Sequence, residues 1–270
     1  MSEKMHDQVN AAPPEGTPSW LELSVPDPER ARTFYGTLFG WTFEDDLCLL
    51  DGLPVAAIRP LADGPEWTVF FATDDCDHTA ERVSAAGGRV VRPPHEAGER
   101  GRAAVVTDVL GARFGLWQGK ELVGTRLVNG PGTLIFNELP ALEQEHALAF
   151  YRTVFGYRPP RRGDTGDLIR PDGHTVASIV FPELLEELDG ADEEGRRHLE
   201  EMRGSVGLPD GTAWLTYFAV EDARKSVELL AGSGGRAHPE GAQDLPWGRI
   251  AAVKDPFGVP FRLVEPWDVI

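Results

Sequence analysis

Cysteine is nearly absent: Cys48 and Cys76 are the only two in 270 residues. That excludes a disulfide framework and a thiolate metal site, and leaves two thiols expected in or beside the core. Long apolar runs are missing as well. The longest are short and broken by Asp, Arg or Gly, far from the ~20 apolar residues that a membrane-crossing helix needs. No basic segment leads into an apolar run at the N-terminus, so a cytoplasmic location is expected. Basic side chains are outnumbered, 26 against 44 acidic ones, and the net charge of -18 repels nucleic acid and anionic membranes. The same field attracts cationic small molecules, although acidity is equally a solubility device. Catalytic signatures are lacking too. There is no Gly-x-Ser-x-Gly elbow and no phosphate-cradling loop, and Gly232-Ser233-Gly234-Gly235 follows a helix instead of opening one. The seven histidines show neither HxH nor HxxxH spacing. His78, His146 and His198 are expected on exposed helical faces, and His95, His174 and His238 in loops.

What is present is a repeat. Phe34-Tyr35-Gly36-Thr37-Leu38-Phe39-Gly40-Trp41 returns as Phe150-Tyr151-Arg152-Thr153-Val154-Phe155-Gly156-Tyr157, and Gly87-Gly88 and Asp108 return as Gly234-Gly235 and Asp255. The later matches are spaced further apart than the first, so the second copy carries an insertion, placed in the acidic stretch 182–212. It reads as helical, and is a lid, an interface element or a solvated excursion. The expected organisation is a disordered leader over 1–18, a first domain over 19–120, a linker over 121–131 and a second domain over 132–270.

The order of elements repeats with the motifs. An alternating strand, Trp20–Val25 or Thr133–Leu139, precedes a helix whose apolar stripe is Ala31, Phe34, Tyr35 and Leu38, or Ala147, Phe150, Tyr151 and Val154. Asp27 is positioned to cap the first helix, and Gly40 and Gly156 to end the pair. Short strands such as Pro54–Ile58 follow, then Trp67–Ala72 or Trp214–Ala219. A second helix opens at Asp75 or Asp222 and ends at the Gly pair. The closing strands are Ala103–Val106 and Phe114–Trp117, or Ile250–Val253 and Phe261–Val264. The fold class is therefore α+β, with four strand-helix-strands units whose sheets curl into half-open barrels, each inner face lining a cavity.

The Phe-Tyr helices with their Phe-Gly endings, the Asp-opened helices ending in Gly-Gly, and Asp255-Pro256-Phe257-Gly258-Val259-Pro260-Phe261 together resemble the vicinal oxygen chelate superfamily from Trp20 to Trp267. That family includes glyoxalase I, extradiol dioxygenases, fosfomycin-resistance enzymes and bleomycin-binding proteins. The resemblance implies tandem domains built from four βαβββ modules. It implies also that metal-dependent members hold a divalent ion with His, Gln or Glu on three strands. Transferred to this chain, those positions are Trp20, Thr68 and Gly115 in the first copy and Phe136, Leu215 and Arg262 in the second. Such side chains supply neither neutral imidazoles nor carboxylates at about 2.0–2.5 Å. No metal and no other cofactor is expected.

What is expected on the inner faces is aromatic and acidic. Trp20 shares a strand side with Glu22, and Phe136 with Glu138, because side chains two apart point the same way. The residues assigned to ligand binding are Trp20, Glu22, Thr68, Phe70, Trp117, Phe136, Glu138, Trp214, Tyr217, Trp247 and Arg262. Core packing is the alternative for each ring. Glu22 and Glu138 either pair with an arginine such as Arg102, Arg249 or Arg262, anchor a ligand, or transfer protons. Two functions follow: metal-free sequestration of an aromatic or cationic small molecule, of the natural-product or antibiotic kind, or an enzyme of small-molecule metabolism. The enzyme would use Glu22 or Glu138 as acid-base, or an atypical metal site. The partner is a small molecule, neither nucleic acid nor membrane, and the chain is a monomer or homodimer.

Overall fold

The computed structural model describes residues 6–61, 64–159, 161, 166–180 and 213–267. The insertion expected at 182–212 lies outside them, as does His198. A short strand, β1 (Asp7–Gln8), precedes the first copy. That copy contains β2 (Pro18–Val25), helix α1 (Pro28–Phe39), β3 (Thr42–Glu44), β4 (Leu47–Leu50), β5 (Leu53–Pro60) and β6 (Glu66–Ala72). It continues with α2 (Cys76–Ala85), β7 (Arg89–Glu96), β8 (Gly101–Thr107) and β9 (Arg113–Gly119). After β10 (Leu127–Val128), the second copy has β11 (Leu134–Pro140), α3 (Gln144–Phe155), β12 (Asp167–Ile169), β13 (Thr175–Val180) and β14 (Leu215–Ala219). It ends with α4 (Ala223–Ser233), β15 (Arg236–Leu245), β16 (Gly248–Lys254) and β17 (Pro260–Pro266).

Each copy forms one curved, unclosed sheet. The first has strand order β3-β4-β5-β2-β6-β9-β8-β7. In the second, β11, β14, β17, β16 and β15 follow one another, with β13 also paired to β11 and β12 to β13. At the centre, β2 and β6 run antiparallel, each flanked by a parallel partner, β5 and β9. In the second copy β11, β14, β13 and β17 repeat that arrangement. The expected caps are present. Asp27, Asp75 and Asp222 each accept a backbone N–H from three residues on, and Gly40 and Gly156 end α1 and α3 in the left-handed conformation.

The copies share one core. Tyr35 packs on Phe39, Trp41 and Trp67 of its own copy and on Phe261 of the other, and Phe71 packs on Phe155 and Trp214 across the same divide. Pairs of this kind contribute about 0.5–1.5 kcal/mol each beyond area burial. Two polar chains run through this aromatic interior. Trp67 Nε1 donates to the Tyr35 hydroxyl (3.0 Å), which donates to Asp255 (3.2 Å), and Trp214 Nε1, the Tyr151 hydroxyl (2.9 Å) and Asp108 (3.2 Å) mirror it. The second glycine of each Gly pair lies close against the first helix of the other copy, α3 for Gly88 and α1 for Gly235. A Cβ on Gly88 would lie 2.9 Å from the Phe150 ring and 2.4 Å from the Thr107 carbonyl, and one on Gly235 would lie 2.7 Å from the Phe34 ring. The thiols of Cys48 and Cys76 are free and buried, and burial pushes that of Cys76 up to about 12.

The leader departs from expectation. Residues 6–18 are tied down instead of disordered: β1 pairs with β10, Val9 N–H donates to Arg126 O (3.0 Å), and Gly16 N–H donates to Ala72 O (2.9 Å). The Tyr157 hydroxyl donates to Gly16 O, and Arg82 pairs with Glu15. Backbone bonds and a few polar side chains hold this segment, not an apolar face, so it shows no periodicity. Among the described residues no helix is long and apolar enough to cross a membrane.

Candidate functional site

The first copy's inner face opens on a cavity of about 540 Å³ bordered by Glu22, Ser24, Asp46, Arg59, Glu66, Thr68, Phe70, Val91, Val105 and Arg113. Register explains the grouping. Glu22 lies opposite Thr68 and Trp20 opposite Phe70, while Phe70 pairs with Gly115 on the far side, so alternate residues of three adjacent strands look inward. At one end the rings close ranks: Trp20 stacks on Trp117 at 6.3 Å, Phe70 meets Trp117 edge-on at 6.4 Å, and Trp117 Nε1 donates to Leu122 O (2.8 Å). Trp20 and Trp117 are almost wholly buried, and Phe70 is the ring of the three that borders the open cavity.

The cavity's polar side is a set of ion pairs. Arg59 Nη2 lies 3.1 Å from Glu22 and 3.2 Å from Asp46, Arg100 lies 2.7 Å from Asp46, and Arg113 lies 2.9 Å from Glu66. Trp20 Nε1 also donates to Glu22 (3.3 Å). Pairing of Glu22 was one of the expected alternatives, but its partner is Arg59. Arg102 is taken by Asp77 and Glu96, and Arg249 by Asp244 and Glu265, outside the cleft.

The second copy's inner face differs. Tyr217 stands where the first copy has Phe70, and its hydroxyl donates to Glu138 Oε1 (3.0 Å). Phe136 meets Tyr217 edge-on at 6.1 Å, and Leu215, Val264 and Ile250 complete an apolar patch. Arg262, aligned with Tyr217 across β14 and β17, is only 8% exposed. Burial raises the proton affinity of Glu138, opposed by the Tyr217 hydroxyl and the charge of Arg262. Burial likewise raises that of Tyr217, with the neighbouring Glu138 charge adding to the effect.

Two ring assignments are corrected. Trp214 is turned to the opposite face and sits in the shared core, bonded to Tyr151. Trp247 stands half exposed in the tight turn joining β15 to β16. The sequence reading also missed Ser24, Glu66 and Arg113, although each lies two residues from an assigned inward position and period-two alternation would have found them. Asp46 and Arg59 carried no such signal, since they reach the cavity from a turn and from the neighbouring strand β5.

Residues 20–117 match the model of a glyoxalase-like domain, and residues 138–263 match that of the glyoxalase/bleomycin resistance protein/dioxygenase superfamily. The chain is 34% identical over 268 residues to the "putative glyoxylase CFP32" of Mycobacterium tuberculosis, with 93% of this chain and 95% of that protein covered. The chain belongs to the vicinal oxygen chelate superfamily. It is also 32% identical over 276 residues to the anthracycline biosynthesis protein DnrV of Streptomyces peucetius, with 93% of each covered. Solved vicinal oxygen chelate structures share the fold. The 2,3-dioxygenase LapB of Pseudomonas sp. KL28 aligns at TM-score 0.59 and 14% identity, over 93% of this chain and 92% of that one. The Mn(II)-bound glyoxalase of Novosphingobium aromaticivorans aligns at TM-score 0.57 and 15% identity, over 94% and 84%.

A divalent ion of the superfamily's kind does not fit the matching positions. The Trp20 indole offers an N–H donor and no lone pair, Thr68 offers a neutral hydroxyl, and Gly115 offers nothing. A Cβ on Gly115 would fall 1.9 Å from the Phe70 ring, which occupies the place of the missing side chain. In the second copy, Phe136 and Leu215 are hydrocarbons and Arg262 is a cation. Among the described residues, no group of three or more His, Cys, Asp and Glu side chains is arranged to hold a metal.

Proposed function

We propose that the protein binds a flat, oxygen-rich small molecule of the natural-product kind in its first cleft, in the cytoplasm and without a metal ion or other cofactor. The observation that carries this reading is the two-sided cavity, with Phe70, Val91 and Val105 as its apolar walls and the Arg59 and Arg113 ion pairs as its polar ones. A planar ring system stacks on the first, and its hydroxyl and carbonyl groups exchange hydrogen bonds with the second. Because Glu22, Asp46 and Glu66 already have arginine partners, the cleft favours an aromatic ligand over a cationic one. Relatives named for anthracycline biosynthesis support the ligand class. The test is titration of the chelator-treated full chain with a hydroxyanthraquinone, followed by tryptophan emission. Saturable quenching that chelator leaves unchanged and Arg59→Met weakens is expected; binding that appears only after a divalent ion is added overturns the reading.

Catalysis has one observation in its favour, the half-buried Glu138 with its raised proton affinity, a setting suited to acid-base work. Conversion of such a compound, lost in Glu138→Gln and kept in Glu22→Gln, would select this second reading.

A further inference from the structure

The charges bordering the first cleft are not all matched. Glu22 and Asp46 pair with Arg59, and Glu66 pairs with Arg113. Arg92, on β7, borders the same cavity and has no acidic partner among the described residues. We infer that Arg92 sets the ligand class: the flat compound bound in this cleft carries a carboxylate, held by Arg92 while its rings lie against Phe70. The inference rests on the first-cleft reading and narrows its ligand to an aromatic acid.

Register brings Arg92 to the inner face. Trp20 lies opposite Phe70, Phe70 opposite Gly115, Gly115 opposite Val105 and Val105 opposite Arg92, so one row crosses the sheet from β2 to its edge. Residues directly opposite one another share a face. The pairing of β7 with β8 is irregular on both sides of Arg92, between Val90 and Arg92 and again between Arg92 and His95. A bulge interrupts the alternation of faces and re-aims a side chain, and here the consecutive residues Val91 and Arg92 both border the cavity. Val91 is 44% exposed, an apolar side chain left bare beside a cation. A ring with an anionic substituent covers the one and neutralises the other.

A guanidinium stays charged at every accessible pH, and its planar fork meets a carboxylate with two parallel hydrogen bonds. The net charge of -18 repels anions at long range, so an acidic ligand needs a cation at its seat that no side-chain carboxylate already holds. Arg59 and Arg113 are held by acids, and Arg92 is not. The second copy lacks this cation. β15 pairs Ala237 with Val253 as β7 pairs Val90 with Val106, and two residues beyond Ala237 stands Pro239 where the first copy has Arg92.

The experiment titrates the chelator-treated full chain with anthraquinone-2-carboxylate and with its neutral carboxamide, followed by tryptophan emission at pH 7, where the carboxylate is ionised. The wild type is expected to bind the acid about tenfold more tightly than the amide. Arg92→Met is expected to bind both at the amide's level, and Arg92→Lys, which keeps the charge but not the fork, to fall between the two. Because Arg92 is exposed, its replacement is expected to leave the fold unchanged. Arg89→Met removes an exposed cation of the same strand that does not border the cavity, and is expected to keep the wild-type preference. Equal wild-type affinity for the two compounds, a full preference in Arg92→Met, or an equal loss of preference in Arg89→Met overturns the inference and leaves the first-cleft reading standing. Binding of neither compound by the wild type overturns that reading, and this inference with it.

Discussion

The hydroxyl of Tyr35 donates to the carboxylate of Asp255, 3.2 Å away and in the other copy of the repeat. It accepts at the same time from Trp67 Nε1. Tyr35→Phe therefore strands a buried indole N–H and removes a donor from a buried carboxylate, at an expected cost of about 1–3 kcal/mol. Tyr151→Phe does the same to Trp214 and Asp108. Urea unfolding followed by tryptophan emission checks both, and a loss under about 0.5 kcal/mol for either variant would show that the chain is not a structural tie.

Asp255 sets a pH signature. Burial raises its proton affinity, against the backbone N–H groups of Val259 and Phe257 and the Tyr35 hydroxyl. A carboxyl with a raised folded-state value contributes stability that is fully present below its unfolded value, near 3.8, and lost as pH climbs through the folded one. Asp255→Asn removes that dependence. The variant is expected to be less stable than the wild type at pH 4 and to close the gap as pH rises to 7, read from thermal midpoints across that range. A gap that widens with pH would reverse the sign and refute the assignment.

The second glycines of the two Gly pairs are predicted to differ in cost. Gly88→Ala meets the Thr107 carbonyl, which is backbone and cannot move aside, whereas Gly235→Ala meets the end of the Phe34 ring, which can tilt. Both overpack the junction, so a loss of about 1–3 kcal/mol is expected, larger for Gly88→Ala. Differential scanning calorimetry gives the order directly.

Gly115 and Phe70 are coupled by exclusion. Gly115→Ala alone drives a methyl into the Phe70 ring, while Phe70→Leu alone leaves a void beside Trp117. The double variant is expected to recover about 1 kcal/mol relative to the sum of the two single changes. A double-mutant cycle in urea that shows strict additivity would mean the ring does not occupy the glycine's side-chain space.

The fold was legible because its signals are local. Helix stripes, the caps at Asp27, Asp75 and Asp222 and the glycine stops at Gly40 and Gly156 all act within one or two turns of chain, and the doubled Phe-Tyr motif exposed the duplication. The leader was not legible, because Val9 and Gly16 are held by backbone bonds to Arg126 and Ala72, which side-chain patterns do not report. The clefts were half legible. Period two placed Glu22 with Trp20 and Glu138 with Phe136, but the Arg59–Asp46–Arg100 chain joins a strand, a turn and a distant loop, and no spacing rule links them. Trp214 was misassigned because the strands around it are apolar on both faces, as sheets covered on both sides are.

The crossing of Tyr35 and Tyr151 into opposite copies has an evolutionary corollary. Two identical subunits with this interface would carry two identical clefts, and any substitution in one would appear in both. Joined in a single chain, the tyrosine-aspartate ties persist as a matched pair while a change such as glycine in one copy and arginine at the corresponding place, Gly115 and Arg262, alters one cleft only. Fusion thus separates the inheritance of the joint from that of the pockets, and one gene can carry two specificities on a shared frame.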